Sequence, residues 1–367
     1  MPSSSTDQSI RPEVEVIEFP VIDLEIFLKD PETAPAQLEC KKVADSLINY
    51  GVLVVRDSRA TEDYNSQFID MMERYFEQPY EEKLKDARPQ FHYQVGATPG
   101  NTEDPKCKVD KDCQDLIYQL PLDSRPLPAN GPDPKWRFFW KMGKAPEKTS
   151  FADLNAAPVL PAAFPEWEAI MNSWGTRMHD AVTGISQMLA VGLGLPKNTF
   201  SDMAKYGPHL LAPTGSDLNE YGAIDTVLAG FHYDLNFLTI HGKSRFPGLN
   251  VWARNSSRKI GVKVPSGCLL VQAGKEAEWL TGGKILAGYH EVVVNNKTIE
   301  AMQTARNEGR SLWRVSSTFF MHIGSDVLLQ PVVLPAENQE EAKAKYPPTL
   351  CGTYVQNELF HINLKAQ

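Results

Sequence analysis

Beyond residue 210 the chain breaks into short apolar runs set off by Gly, Pro and Asn, and this texture constrains the fold more than any other feature of the sequence. The runs lie at residues 227–231, 235–240, 249–253, 260–264, 268–272, 290–294 and 313–323. Brief length, β-branched and aromatic residues, and turn residues at both ends read as strands. Many short strands at such spacing predict a mainly β fold, a sandwich or jelly roll, with flanking helices. No internal repeat is present.

The first half reads differently. After a polar stretch, taken as a disordered leader over residues 1–18, the segment Phe19-Pro-Val-Ile-Asp-Leu24 opens the folded region. A helical pattern over 38–48 leads into Gly51-Val-Leu-Val-Val55, which reads as a buried strand, and a second helical pattern covers 64–76. Residues 96–115 carry Gly, Pro, Asn, Asp and Lys in the manner of an exposed loop, ahead of the aromatic cluster Trp136, Phe138, Phe139 and Trp140. Trp167, Met171, Trp174, Met178, Val182, Ile185 and Leu189 recur at steps of three and four, one face of a long supporting helix. The expected organisation is a helical and mixed region over 19–209, a jelly-roll core over 210–330 and an extension over 331–367 that packs on the core.

Composition narrows the function classes. A net charge of −9 without a Lys/Arg-dense run argues against a protein that tracks a nucleic-acid backbone. The longest apolar stretches fall far short of the ~20 residues of a membrane-spanning helix, and residues 1–11 lack the pattern of a secretory signal. Five cysteines, an odd number without a C-x-x-C pair, fit reduced thiols in a cytoplasmic protein. A small organic molecule is the expected partner; oligomeric state is left open.

The chemistry gathers in Gly230-Phe-His-Tyr-Asp-Leu-Asn-Phe-Leu-Thr239. On a strand, His232 and Asp234 point to the same face, so an imidazole and a carboxylate can converge on one ion. His290, in Ala287-Gly-Tyr-His-Glu-Val-Val-Val294, is the expected third ligand, brought alongside by a neighbouring antiparallel strand. Two histidines and one carboxylate on one face of an octahedron leave three positions open, the arrangement of non-haem Fe(II) oxygenases. A third element, Ser311-Leu-Trp-Arg-Val-Ser-Ser-Thr-Phe-Phe320, puts Arg314, Ser316, Thr318 and Phe320 on one strand face. Arg314 and Ser316 there form an anion clamp, and Phe320 an apolar wall. Phe320 and Asn236 are the expected substrate contacts.

With these residues in hand the chain resembles the isopenicillin N synthase-like family of 2-oxoglutarate/Fe(II)-dependent dioxygenases. The landmarks occur in order: Phe19-Pro-Val-Ile-Asp23 with Tyr50-Gly51, Phe76-Glu-Gln-Pro-Tyr-Glu-Glu-Lys83, His232-Tyr-Asp234 with His290, and Arg314-Val-Ser316. The resemblance implies a distorted double-stranded β-helix core and Fe(II), with 2-oxoglutarate and O2 as co-substrates. It also implies that Asn219 and Tyr221, from Asn219-Glu-Tyr221, contact 2-oxoglutarate. Because Asp234 is present where halogenating relatives lack it, hydroxylation, desaturation or ring closure is the implied outcome, with release of succinate and CO2.

One departure stands out. His290 and Arg314 are 24 positions apart, longer than the family usually has, and residues 298–306 inside that interval read as an inserted helix. Arg306 and Arg310 are therefore rival clamps, with Arg314 preferred for its x-Ser and the following Phe-Phe. The alternatives to a 2-oxoglutarate enzyme are an oxidase that takes all its electrons from its own substrate, like isopenicillin N synthase, and a non-catalytic binding relative. His92, His209, His241, His322 and His361 read as surface or core histidines; His322 alone shares parity with Phe320 and stands near the expected pocket.

Overall fold

In the computed structural model, residues 14–108, 110–129, 131–332, 339–362 and 364 are described. The expected strands are present and assemble into two main sheets. The smaller runs, in spatial order, Val16–Ile17, Lys259–Val262, Leu249–Trp252, Tyr289–Val293 and Val227–Tyr233. The larger has ten strands and joins Leu238–His241, Cys268–Ala273, Thr318–Met321, His209–Leu211, Thr214–Asp217 and Trp313–Val315 to four from the first half.

Period-two alternation gives the larger sheet two chemically different faces. Leu238, Ile240, Val271, Phe319 and Met321 are fully buried in the main apolar core, which also holds the helix Trp167–Gly192. Their neighbours Thr239, His241, Thr318 and Phe320 are turned the other way, and all but Thr239 line a cavity also walled by the smaller sheet. The helix is apolar along the expected stripe, with Met171, Trp174, Met178, Val182, Ile185 and Leu189 all within 1% of complete burial, and it is sandwiched by the helices Ala34–Tyr50 and Glu62–Phe76. One crossing contact ties this layer to the cavity side: the Trp174 indole donates to Ser317 Oγ at 2.7 Å.

Five expectations need correction. The leader drawn to residue 18 includes the strand Val16–Ile17, which pairs in parallel with Gly261 and Val262 at the edge of the smaller sheet, where a two-residue strand is enough to cover exposed backbone; residues 1–13 lie outside the described residues. The boundary at 209/210 does not separate two layers, because Val21–Asp23, Val52–Arg56, Gly96–Thr98 and Trp136–Met142 are strands of the larger sheet itself. The loop over 96–115 holds that third strand and the start of the helix Lys111–Gln119, whose cap Asp110 accepts from the Cys113 N–H and so turns the chain back towards Cys107. Cys107 and Cys113 form a disulfide, with Cα atoms 5.1 Å apart, instead of standing as reduced thiols; Cys40, Cys268 and Cys351 are free and buried. Finally, the single run over 313–323 splits at Ser316 and Ser317, where the chain changes partner from Thr214–Asp217 to Leu238–His241. The inserted helix is observed as Asn296–Asn307, started by a reciprocal cap between Asn295 and Thr298. Among the described residues no helix is long and apolar enough to cross a membrane.

Candidate active site

Strand pairing brings the metal-type residues together. Tyr289–Val293 runs antiparallel to Val227–Tyr233 with His290 directly opposite His232, and the ladder slips between His290 and Val292. Asp234 follows at the end of the His232 strand. Both Nε2 atoms stand 3.8 Å from Asp234 Oδ1, and one donor atom from each residue lies within 4.8 Å of the others.

His232 and Asp234 are each oriented by a partner away from that point. His232 Nδ1 lies 2.6 Å from the carbonyl of Gly230, which makes Nδ1 the protonated nitrogen and leaves the Nε2 lone pair free. Asp234 Oδ2 accepts from the Thr239 hydroxyl at 2.6 Å, so Oδ1 is the oxygen that faces the histidines. Burial, with His290 and Lys135 adding to it, pushes the His232 imidazole down to about 3, so this ring is neutral at ordinary pH. Burial pushes the Asp234 carboxyl up, but His290, His232 and Thr239 outweigh it and hold the group below its ordinary range. Two imidazole nitrogens and a carboxylate at this spacing fit a divalent ion such as Fe(II).

Arg314 lies across the same cavity, about 310 Å³ in volume. It is 7% exposed, and its Nε donates to the Pro247 carbonyl at 3.2 Å; no carboxylate pairs with it among the described residues. Burial lowers it to about 10, which still leaves it charged at neutral pH. A buried cation without an anion is costly, and a carboxylate supplied by a ligand removes that cost. Ser316 lines the cavity beside it and accepts from the Thr214 N–H at 2.9 Å. The two rival arginines lie elsewhere: Arg306 is exposed on the inserted helix, and Arg310 is exposed and paired with Glu308.

Other expected contacts fare differently. Phe320 lines the cavity, edge-on to Phe139. Asn236 does so too, but its amide is engaged by the Met321 carbonyl and by the Thr239 hydroxyl, so it braces Asp234 through Thr239. Asn219 and Tyr221 are not in the cavity. The strand Thr214–Asp217 ends when Asp217 caps a single helical turn, Leu218–Tyr221, and Asn219 bonds back to Asp217 on the surface. The residues of this stretch that do line the cavity are Leu210, Ala212 and Thr214.

Several cavity residues escaped the sequence reading. His241 is held by Thr318 Oγ1 on one ring nitrogen and Gln272 Oε1 on the other, its ring 6.5 Å from that of His290. The alternation Leu238-Thr-Ile-His241 was a usable signal, since it puts His241 on the face of Thr239. A set of buried charges, Glu103, Asp133, Lys135 and Arg137, carried no signal, because these residues stand in irregular segments or beside aromatic neighbours with no period to read. Burial pushes the His241 imidazole down to about 4. In the unfolded chain it takes a proton near pH 6.5, so its contribution to stability is complete above that pH and is lost as pH falls towards 4. Metal-free protein is therefore expected to lose roughly 3 kcal/mol of unfolding free energy from this residue between pH 7 and pH 4. Urea titrations at both pH values check it, and a His241→Gln variant with an undiminished acid slope would assign the loss elsewhere.

Comparison with known proteins supplies independent footing. Residues 19–150 match the family described as the N-terminal region of the non-haem dioxygenase in morphine synthesis, and residues 203–323 match the 2OG-Fe(II) oxygenase superfamily. A 2-oxoglutarate-dependent dioxygenase of Gibberella zeae is 22% identical over 334 residues, covering 86% of this chain and 77% of the relative. Among solved structures, one assigned to the 2OG-Fe(II) oxygenase family from Caulobacter crescentus superposes with a TM-score of 0.71 at 21% identity, covering 94% of this chain and 99% of that one. A full-length Neurospora crassa protein, solved in complex with alpha-KG and thymine, superposes with a TM-score of 0.69 at 19% identity, over 93% of this chain and 96% of that one. The mainly β architecture with flanking helices is thus the double-stranded β-helix expected from the sequence.

Proposed function

We propose, from the premise that the chain belongs to the 2OG-Fe(II) oxygenase superfamily, that His232, Asp234 and His290 hold Fe(II) and that Arg314 with Ser316 holds the distal carboxylate of 2-oxoglutarate. The reading is a 2-oxoglutarate-dependent dioxygenase that uses Fe(II) and O2 on a small molecule, in line with the family match, the Gibberella zeae relative and the structure solved with alpha-KG and thymine. The observation that carries the assignment of residues is Arg314: a buried cation with no anionic partner among the described residues, lining the same cavity as the three metal-type donors. The isopenicillin N synthase-like branch and a cytoplasmic location belong to the same reading.

When bound, Fe(II) would supply O2 activation, with O2 as the oxidant and 2-oxoglutarate as the two-electron donor that leaves as succinate and CO2. The protein supplies position. The Gly230 carbonyl and Thr239 hydroxyl fix which atoms of His232 and Asp234 face the ion. Arg314 would hold the far carboxylate of the co-substrate. Phe320, Phe139 and Leu210 form an apolar cluster in the cavity lining. Anaerobically loaded protein exposed to O2 is expected to release one succinate per 2-oxoglutarate consumed; consumption of O2 without succinate would favour the substrate-only oxidase.

Thr239 provides a graded test. Thr239→Val keeps the shape but removes the hydroxyl that aims Asp234, and loss of such an outer partner typically costs ten- to a hundredfold in metal affinity. Fe(II) affinity measured by competition with a chelator should fall by about that factor while the melting curve is preserved. An unchanged affinity would mean that Asp234 is oriented without Thr239.

A further inference from the structure

The cavity wall beside His232 is built from charges that the metal and co-substrate do not use. Residues 101–103 and 133 are zipped together, with the Asn101 N–H donating to the Asp133 carbonyl and the Asp133 N–H donating to the Glu103 carbonyl, both at 3.0 Å. Asp133 then fastens this wall to the His232 strand, its Oδ1 accepting from the Gly230 N–H at 2.9 Å. Lys135 Nζ is 2.6 Å from Asp133 Oδ2 and 3.6 Å from Glu103 Oε1, and Arg137 Nη1 is 2.9 Å from Glu103 Oε2. The Arg137 guanidinium lies 4.0 Å above the Phe139 ring. All four charged residues line the cavity, and Asp133 and Arg137 are more than nine-tenths buried.

Two carboxylates and two cations cancel. Elsewhere in the lining Lys106 is paired with Glu358 and Asp104 with Lys108, while Lys243 is largely exposed to solvent, 3.9 Å from Glu62. Arg314 is already committed to the co-substrate. A charged substrate group buried against the wall beside His232 would therefore meet no unpaired opposite charge among that wall's described residues, an arrangement strongly disfavoured by desolvation. Hydrogen-bonding capacity is not exhausted in the same way. Arg137 has five N–H groups, of which Nη1 serves Glu103 and Nη2 reaches Thr98 Oγ1 at 3.4 Å, while Nε has no partner among the described residues. Burial pushes the Glu103 carboxyl up, but Lys135 and Arg137 outweigh it and hold it down at about 2, so it remains an acceptor with lone pairs to spare.

We propose that Glu103 and Arg137 are the specificity-determining residues of this site, and that they select an uncharged polar group presenting an N–H donor next to a carbonyl acceptor, as an amide, a lactam or a neutral heterocycle does. The carbonyl takes a hydrogen bond from Arg137 and the N–H gives one to Glu103. This rests on the oxygenase reading of the cavity, and deepens it by naming the substrate class.

Three probes of one size separate the possibilities: benzamide, benzoate and benzylamine, which is protonated at neutral pH. Each is titrated calorimetrically into anaerobic protein loaded with Fe(II) and 2-oxoglutarate, after the 2-oxoglutarate titration itself has been recorded. Benzamide is expected to bind at least about tenfold more tightly than either ion, the factor that a difference of about 1.4 kcal/mol produces. Glu103→Gln leaves the wall with a spare positive charge and should shift preference to benzoate; Arg137→Met leaves a spare negative charge and should shift it to benzylamine. A structural role alone would weaken all three probes together, and circular dichroism of both variants reports whether they fold. Preference of the wild-type protein for either ion, no benzamide binding, or folded variants without the opposite switches would overturn the proposal. Failure of the initial 2-oxoglutarate titration would instead count against the oxygenase assignment on which it stands.

Discussion

Asp234→Ala protein, loaded with Fe(II) anaerobically and desalted, is expected to retain less than about a tenth of the wild-type iron, and His290→Ala and His232→Ala should behave alike. On the proposed assignment three donors are the whole protein contribution to the ion, so none is redundant. Asp234 Oδ1 stands 3.8 Å from each Nε2, and in this buried setting the carboxylate would be the anion that balances part of the metal's charge. Metal analysis of the desalted proteins is the readout. Near-full iron in His290→Ala would move the third ligand to another residue, with the His241 ring close at hand.

Arg314→Ala is expected to raise the KM for 2-oxoglutarate roughly ten- to a hundredfold with iron content intact. Hydrogen bonds to a charged group contribute about 1.5–3 kcal/mol, and removal of the cation leaves the incoming carboxylate buried without a partner. Arg306→Ala should change little, because Arg306 sits exposed on the helix Asn296–Asn307, away from the cavity. The pair is informative as a contrast. Equal KM values for the two variants, or a large effect only in Arg306→Ala, would require the co-substrate to enter in a different orientation.

Those two experiments concern residues legible in the amino-acid order itself, and the reason is geometric. His232, Asp234, Arg314 and Phe320 stand on strands or at a strand's end, where a spacing of two already states a shared face. The inserted helix is legible over residues 298–306, and the structure extends it to Asn296–Asn307 behind the Asn295 cap. Asn219 and Tyr221 were misplaced because a motif was carried over without the backbone that gives it meaning; the Asp217 cap turns that stretch into a surface helix. Glu103, Asp133, Lys135 and Arg137 were invisible for a different reason. Their meeting depends on a zipper between two irregular segments about thirty residues apart, for which no periodicity exists. Cys107 and Cys113 were judged by composition, whereas the turn at Asp110 decides their proximity.

The interleaving of first-half strands into the larger sheet has a consequence for synthesis. Val52–Arg56 pairs on one side with Cys268–Ala273, more than two hundred residues later, and Trp136–Met142 pairs with strands on either side of Pro213. Contacts that distant form late, because a long loop must close before the pairing repays its entropy. A nascent chain that has emerged only to residue 209 thus carries Val52–Arg56, whose first four residues are buried in the finished protein, with one edge still waiting for its antiparallel neighbour. Until residue 273 leaves the ribosome, that edge lacks its antiparallel neighbour, and an unpaired strand edge of this kind is a template for pairing with other chains.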